Sequence, residues 1–475
     1  MMRVAPELTV DRFHGLRQRI APSSALRWRI ALIFAAGGVA LFAALAATVA
    51  LSSPLPLLGL LALAFALVLV GPEVCISVAL LLGCGLAPFV SPMQVAAGGI
   101  PYWLLGFGLA AGLIVAVAVA RWLAGEPVAL MQPSVLLWLA LALLVYSVAR
   151  LAQSSPMDAP SIAAPFVALP LGALLTFVWL MHDRALEGLQ KAMPVVIAIV
   201  LAWTVMYILG AAGFGIGQRW VGTVNTNTGL LGGGSRLYTW GQEAQLGFVL
   251  LATARAMYRP SWLWIALSTL GVLSVLLQNS RAQQVAVFGG LVVLLIWRLY
   301  HVRAATKLLL LLLAALAVYA VLASSVGEHI VSGYQGLREG SGTGGYRLGL
   351  LDQIQANWSL LGTGVSYASL DLGYNQDLGV PNTILLIGFA GAALQLALLG
   401  TGVVRALLAR TALGVSLAAV LVMVLLARPS LPFLETGTGA VAYGVALGGV
   451  AALYVRDGRR SDASAVSMAP YGARP

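Results

Sequence analysis

The sequence predicts an all-α, polytopic membrane protein, and its composition, its apolar runs and the placement of its charges each indicate this. Of the 475 residues, 60% are hydrophobic and only 9% are charged, whereas soluble domains carry roughly 25% charged residues. Apolar runs repeatedly reach the roughly 17–25 residues that cross a bilayer as a helix. The runs are continuous rather than alternating, which argues against a transmembrane β-barrel.

The apolar runs predict about fourteen transmembrane helices and one long loop. Residues 1–29 form a tail, 30–326 carry spans one to eleven, 327–381 form the loop, 382–455 carry spans twelve to fourteen, and 456–475 form a disordered tail. The spans lie near residues 30–51, 55–71, 75–90, 102–120, 128–149, 162–181, 192–213, 238–254, 262–278, 283–298, 308–326, 382–402, 412–427 and 438–455.

Charge placement predicts the orientation of the chain. Fourteen spans put both termini on one side, and that side carries 20 of the 27 lysines and arginines. The positive-inside rule therefore places both termini in the cytoplasm and the long loop outside. The net charge of +11 follows from this topology, so no nucleic-acid partner is expected. The outer side holds seven arginines, namely Arg150, Arg219, Arg236, Arg281, Arg338, Arg347 and Arg428.

Arg281 lies in a tight outer turn, Asn279-Ser280-Arg281, between spans nine and ten. An arginine here runs against the cytoplasmic preference for positive charge. It is either a snorkelling side chain at the headgroup level or a fixed cation that binds an anionic ligand at the outer surface.

A second polar cluster lies at the start of span eight. If the helix continues from Arg236, then Arg236, Trp240 and Glu243 share one face, and Glu243 lies about 10 Å deeper. An ionisable residue inside a span indicates a functional site. The alternative is that Glu243 is a structural partner for an arginine on another helix.

The long loop contains the stretch YRLGLLDQIQANWSLLG, which predicts an amphipathic helix on the outer surface. Arg347 and Trp358 fall on its apolar face, and Asp352 falls elsewhere. Arginine at a helix N-terminus opposes the helix dipole, which is explained if Arg347 points inward at an anion that the helix-start N–H groups also bind. The alternative is a solvated loop arginine, which is the preferred interpretation of Arg338.

Arg236, Arg281 and Arg347, at three helix junctions, are together suited to bind a diphosphate. The planar guanidinium makes bidentate, charge-assisted hydrogen bonds to phosphate and never deprotonates. The outer loops contain no evident carboxylate cluster for a divalent metal. We therefore expect the arginines to stabilise a diphosphate leaving group without a metal or another cofactor.

These features resemble the O-antigen ligase/polymerase family. A Ser-Arg pair follows a span, and the long loop contains the pattern Arg-x(10)-Trp-x(3)-Gly-x-Gly, here Arg347, Trp358, Gly362 and Gly364. A glycine-rich start of the next span, GFAGA at 388–392, follows the loop as it does in that family. The resemblance covers roughly residues 220–400.

The resemblance implies a glycosyltransferase C-like fold in the bacterial inner membrane. It implies an inverting, metal-independent transfer of glycans that are linked by diphosphate to undecaprenol, at the periplasmic face. Residues that match Arg236, Arg281 and Arg347 engage the diphosphate in such proteins. The implied partners are the lipid-linked glycan, membrane lipid, a flippase and a chain-length regulator.

One departure bears on the activity. The ligases have His-Asn at the entry to the next span, where this chain has Pro381-Asn382. This difference favours a polymerase, which extends a chain on a second lipid-linked repeat unit, over a ligase, which transfers the glycan to lipid A–core. Without that histidine, Glu243 is the first candidate for the general base and Asp352 the second.

A flippase or another transporter is the rival from a different class of protein. Transporters place charges near the middle of the membrane and commonly show internal repeats. Here the charges gather at the outer face beside one long loop, and no such repeat is visible.

Overall fold

The protein is described from a computed structural model, and every regular element in its described part is an α-helix. The all-α prediction is therefore confirmed for these residues. The structure describes residues 72–85, 102–123, 134–152, 159–182, 184–211, 242–277, 281–323, 335, 352, 355, 358–362, 379–429, 431, 434 and 437–467.

Twelve helices form in the ranges described, because an α-helix satisfies every backbone polar group of an apolar segment internally. In chain order they are α1 (Pro72–Gly85), α2 (Tyr102–Leu123), α3 (Val135–Leu151), α4 (Ala159–Leu180), α5 (Ala185–Ala211), α6 (Gln242–Tyr258), α7 (Trp262–Leu277), α8 (Arg281–Tyr300), α9 (Ala304–Leu322), α10 (Gly379–Leu408), α11 (Ala412–Ala427) and α12 (Gly437–Ser467).

Within the described ranges, four helical stretches are long and apolar enough to cross a membrane by length and composition. Further helices, such as Ala412–Ala427, are equally apolar but shorter. The four stretches indicate a helical membrane protein. They are Ala185–Ala202, Ala282–Tyr300, Gly379–Leu408 and Gly439–Arg456.

The helices overlap the last twelve of the fourteen predicted spans. The first two spans, 30–51 and 55–71, lie outside the described residues, so the number of spans stays a prediction. Two differences stand out. The span predicted to begin at 382 begins at Gly379 and is broken at Gly388, and α12 continues to Ser467.

The extension of α12 corrects the predicted start of the disordered tail. Residues 456–467 are helical, whereas the polar sequence from 456 onwards predicts disorder. Alanine, arginine and serine in this stretch are compatible with a helix, so the apolar span before them can propagate past its own end.

Small residues bring α4 and α12 into close contact. A Cβ on Gly172 of α4 would lie 3.5 Å from the Cα of Gly444, and a Cβ on Gly448 would strike the backbone of Ala173. Glycines spaced four residues apart let helix backbones approach closely in membrane proteins. The backbones of α4 and α12 therefore approach closely along these glycines.

Helix α10 runs antiparallel to both α3 and α11. The ends of α3 and α11 therefore lie near the start of α10. Near one end of α10, a Cβ on Gly402 would contact Leu136 of α3 and Leu421 of α11. Near its start, the N–H of Val380 donates to the carbonyl of Arg428 at 3.1 Å. Helices α3 and α11 therefore end where α10 begins, and this end carries the candidate site.

Candidate functional site

Helix α10 is broken at Gly388, and the break organises the site. The backbone of Gly388 has φ 71° and ψ 179°, a conformation that is essentially restricted to glycine. A Cβ at this position would also strike the backbone of Leu360 and Gly362. Glycine is therefore required here both by the backbone conformation and by the space available.

A strap of five residues, 358–362, packs against the break. The N–H of Phe389 donates to the carbonyl of Ser359 at 3.2 Å, and the N–H of Ala390 donates to the carbonyl of Leu360 at 3.0 Å. The first N–H groups of a helix have no partner within the helix itself. The strap therefore caps the second half of α10.

Helix α3 fastens the strap to the break. The hydroxyl of Tyr146 donates to the carbonyl of Ile387 at 2.8 Å, and it lies 3.3 Å from the carbonyl of Leu361. One turn along α3, the Nη2 of Arg150 donates to the carbonyl of Gly362 at 2.7 Å. Because the guanidinium is charged, this hydrogen bond is of the stronger class.

Trp358 begins the strap and adds an aromatic contact to the break. Its ring meets the ring of Phe389 edge to face, with the centroids 5.5 Å apart and an interplanar angle of 83°. Its indole Nε1–H is buried and donates no hydrogen bond to any described residue. Trp358 thus anchors the strap mainly through packing of its ring on the first residue after Gly388.

Arg428, at the end of α11, connects the two halves of α10 by its side chain. It is only 1% exposed, and its Nη2 donates to Thr383 Oγ1 at 2.9 Å and to Gln395 Oε1 at 2.7 Å. Thr383 precedes the break and Gln395 follows it. A buried guanidinium is costly unless its donors are bonded, so Arg428 favours one fixed arrangement of the two half-helices.

The structure places two of the predicted site residues, Trp358 and Asn382, at this end, and it describes Asp352 without a contact to them. Trp358 lies on the break, and Asn382 is buried in α10 next to Thr383 with 4% of its surface exposed. Asp352 is helical and exposed, as is Gln355. The contacts of Trp358 bring together the loop pattern and the glycine-rich stretch 388–392.

Glu243 and Arg281 lie in the first turns of α6 and α8, while their side chains lie outside the described part. Buried polar contacts surround these helix starts. On α6, the amide of Gln245 donates to Ser274 Oγ at 2.8 Å. On α8, the amide of Gln284 donates to the carbonyl of Leu276 at 3.3 Å. Because both partners lie near the end of α7, α6 and α8 begin side by side, and so do the backbones of Glu243 and Arg281.

Three other predicted site residues, Arg236, Arg338 and Arg347, lie outside the described residues. The shared face predicted for Arg236, Trp240 and Glu243 is likewise not covered, since α6 begins at Gln242. Their roles in binding a diphosphate stay predictions.

Sequence reasoning did not single out Arg150 and Arg428, although it counted both among the outer arginines. The signal that could have found them is their position, since each lies at the last turn or the cap of an apolar helix. A cation at such a junction can reach backbone carbonyls that a broken helix leaves without a partner.

No family model, curated protein or solved structure matches the chain. Within the described ranges, no group of three or more His, Cys, Asp or Glu side chains could hold a metal ion.

Proposed function

We propose that the chain is an inner-membrane polysaccharide polymerase of the O-antigen ligase/polymerase type. It transfers a glycan from undecaprenyl diphosphate to a hydroxyl of a sugar on a second lipid-linked repeat unit. The acceptor oxygen attacks the anomeric carbon, the bond from that carbon to the diphosphate oxygen breaks, and undecaprenyl diphosphate leaves with the bonding electrons. Attack from the opposite face inverts the anomeric configuration.

One observation carries the proposal, namely the docking of the strap on the break in α10. Two of the patterns that carry the resemblance are Trp-x(3)-Gly-x-Gly in the loop and GFAGA at the start of the following span. The bonded residues lie 30 positions apart in the chain, yet the carbonyls of Ser359 and Leu360 accept hydrogen bonds from the N–H groups of Phe389 and Ala390. Two patterns that specify one contact support a shared architecture better than either does alone.

The strap also gives a physical reason for the position of Arg347. Asp352 and Gln355 are helical, which agrees with a helix between Arg347 and the strap. Eleven residues of helix span about 16 Å. With Trp358 fixed on the break, such a helix would hold Arg347 at a set distance from α10, which suits a cation that must meet a lipid diphosphate at a fixed depth.

The leaving group would be stabilised by Arg236, Arg281 and Arg347. Fixed guanidinium groups directed at charge that develops on the diphosphate stabilise the transition state more than the ground state. Glu243 would accept the proton of the acceptor hydroxyl, and it lies within two residues of the buried Gln245. Burial near the start of α6 would supply the dry surroundings in which such a carboxylate can act as a base.

A deletion of the gene tests the proposal by the glycans that accumulate on the lipid carrier. We expect single repeat units on undecaprenyl diphosphate at the periplasmic face. Full-length lipid-linked chains would indicate a ligase instead, and single units that remain at the cytoplasmic face would indicate a flippase. Either of these two results would overturn the polymerase proposal.

A further inference from the structure

A narrow cavity of about 90 Å³ lies between α12 and the helices α1, α4, α5, α6 and α11. Its lining follows α12 from Ala442 to Arg456, which is about 21 Å of helix at 1.5 Å per residue. Apart from Thr176, Tyr443 and Arg456, the lining residues that the structure describes carry no polar side chain. We call this cavity the slot. It is long, thin and apolar.

The lining decides which class of molecule the slot can hold. A buried water needs two to four polar partners, and apolar cavities stay dry but accept hydrocarbons. Sugars and phosphates would lose their hydration without gaining hydrogen bonds along this wall. A cavity of about 90 Å³ has room for only several water-sized groups, so along this apolar wall it accepts part of one alkyl chain better than a polar ligand.

One end of the slot is cationic. Arg456 lines it and is held in place there by a hydrogen bond from its Nη2 to the carbonyl of His182 at 3.3 Å. Arg184 is exposed on the turn that follows His182. The charge distribution along the sequence predicts that this end faces the cytoplasm, where anionic lipid headgroups attract basic residues.

We propose that the slot binds one alkyl chain of an anionic glycerophospholipid from the cytoplasmic leaflet. The chain lies along α12 between α4, α6 and α11, and the headgroup phosphate meets Arg456 and Arg184. The cationic end of the slot, at Arg456, lies at the opposite end of the predicted span 438–455 from Gly437, and lipid binding there does not depend on glycan transfer.

The test is lipid retention by the purified full-length chain, measured by native mass spectrometry after exchange into phosphatidylglycerol or phosphatidylcholine with identical chains. Gly449→Phe fills the slot, because a Cβ at Gly449 points at Leu417 and Leu180 and meets them no closer than 3.4 Å. Gly449→Leu is the milder form of the same change. Gly400→Phe is the matched control, since a Cβ at Gly400 has nothing within 4 Å and lies outside the slot.

We expect the wild type and Gly400→Phe to retain one phosphatidylglycerol per chain, and Gly449→Phe or Gly449→Leu to lose it while remaining monodisperse and helical. Arg456→Gln should reduce the preference for phosphatidylglycerol over phosphatidylcholine about fivefold, the effect of one basic residue near an anionic surface. Retention by the Gly449 variants equal to that by Gly400→Phe would overturn the proposal. A wild type that retains no lipid, or shows no preference between the two headgroups, would do the same.

Discussion

Arginines have different surroundings at the two ends of the helix bundle. Arg428 and Arg150 bond to oxygens of α10 and of the strap, whereas Arg184, Arg259 and Arg303, on the predicted cytoplasmic side, are exposed. The positive-inside rule accounts for the exposed group, because a solvated cation needs only the nearby membrane surface. It does not account for a buried guanidinium, which requires fixed partners. The number of arginines therefore reports topology, while the nearly complete burial of Arg428 (1% exposed) reports a role in building the site.

The largest expected effect is the loss of turnover on replacing Glu243, at the predicted outer end of the bundle. Glu243→Gln keeps the size of the side chain but removes its ability to accept a proton. We expect turnover on a lipid-linked repeat unit to fall about 10²–10⁴-fold, the usual contribution of a general base, while binding of the substrate is retained. Turnover and binding should be measured separately on the purified protein.

The matched control for this change is Glu187→Gln. Glu187 forms an exposed ion pair with Lys191 at 2.7 Å, and exposed pairs contribute little, so turnover should be unchanged. If Glu243→Gln behaved like Glu187→Gln, Glu243 would be a structural residue and the base would have to be found elsewhere.

Arg428→Ala is the next largest change, because it removes the side chain that connects the two halves of α10. We expect the free energy of unfolding in detergent to fall by about 3–5 kcal/mol, the range for removing one member of a buried polar and charged network. Arg410→Ala is the control, since Arg410 is exposed and surface changes stay within about 0.5 kcal/mol. If the two substitutions lowered the free energy of unfolding equally, the proposed difference between buried and exposed arginines would be wrong.

Gly388→Ala tests the break itself. The new Cβ would occupy the space of the strap backbone. In addition, the backbone conformation already present at position 388 costs about 1–3 kcal/mol for alanine. We expect lower stability and faster proteolysis within 358–362. Gly400→Ala, at an open helical position, should be neutral or stabilising by up to about 1 kcal/mol. A Gly388→Ala protein whose strap is still protected would show that the strap does not depend on the break.

Tyr146→Phe should have the smallest effect. It removes one hydrogen bond, at 2.8 Å to the carbonyl of Ile387, and a typical hydrogen bond contributes about 0.5–1.5 kcal/mol. Thermal unfolding should show this loss, whereas Tyr319→Phe on exposed α9 should not. A loss as large as that for Arg428→Ala would mean that α3, rather than α11, is the main support of the break.

The apolar runs predict the twelve helices that the structure describes but not the site geometry. Uninterrupted apolar runs determine where helices form, and the span predicted at 412–427 has the bounds of α11. The break at Gly388 is not visible in GFAGA, because this stretch is equally compatible with a continuous helix. The conformation depends on the carbonyls of Ser359 and Leu360, which reach the break only in the folded chain.

The burial of Arg428 is hidden from the sequence for a similar reason. Arg428-Pro429 after an apolar span has the pattern of an ordinary outer loop. Its partners Thr383 and Gln395 lie on another helix, on either side of a break that the sequence does not reveal. The residues chosen from the sequence, by contrast, were selected by their position at predicted junctions, and Trp358 is the one whose contacts the structure describes in detail.

The measurement that tests the central claim most directly is chain elongation by purified Arg281→Lys protein, in vesicles with an undecaprenyl-diphosphate-linked repeat unit and a metal chelator. A cation that binds a diphosphate through its planar fork cannot be replaced by lysine, whereas a snorkelling arginine can. We expect the wild type to elongate the glycan and Arg281→Lys to be slower by about 10²–10³-fold, the effect of losing one donor to the developing charge. An Arg281→Lys protein as fast as the wild type, or a wild type that does not elongate the glycan, would contradict the account.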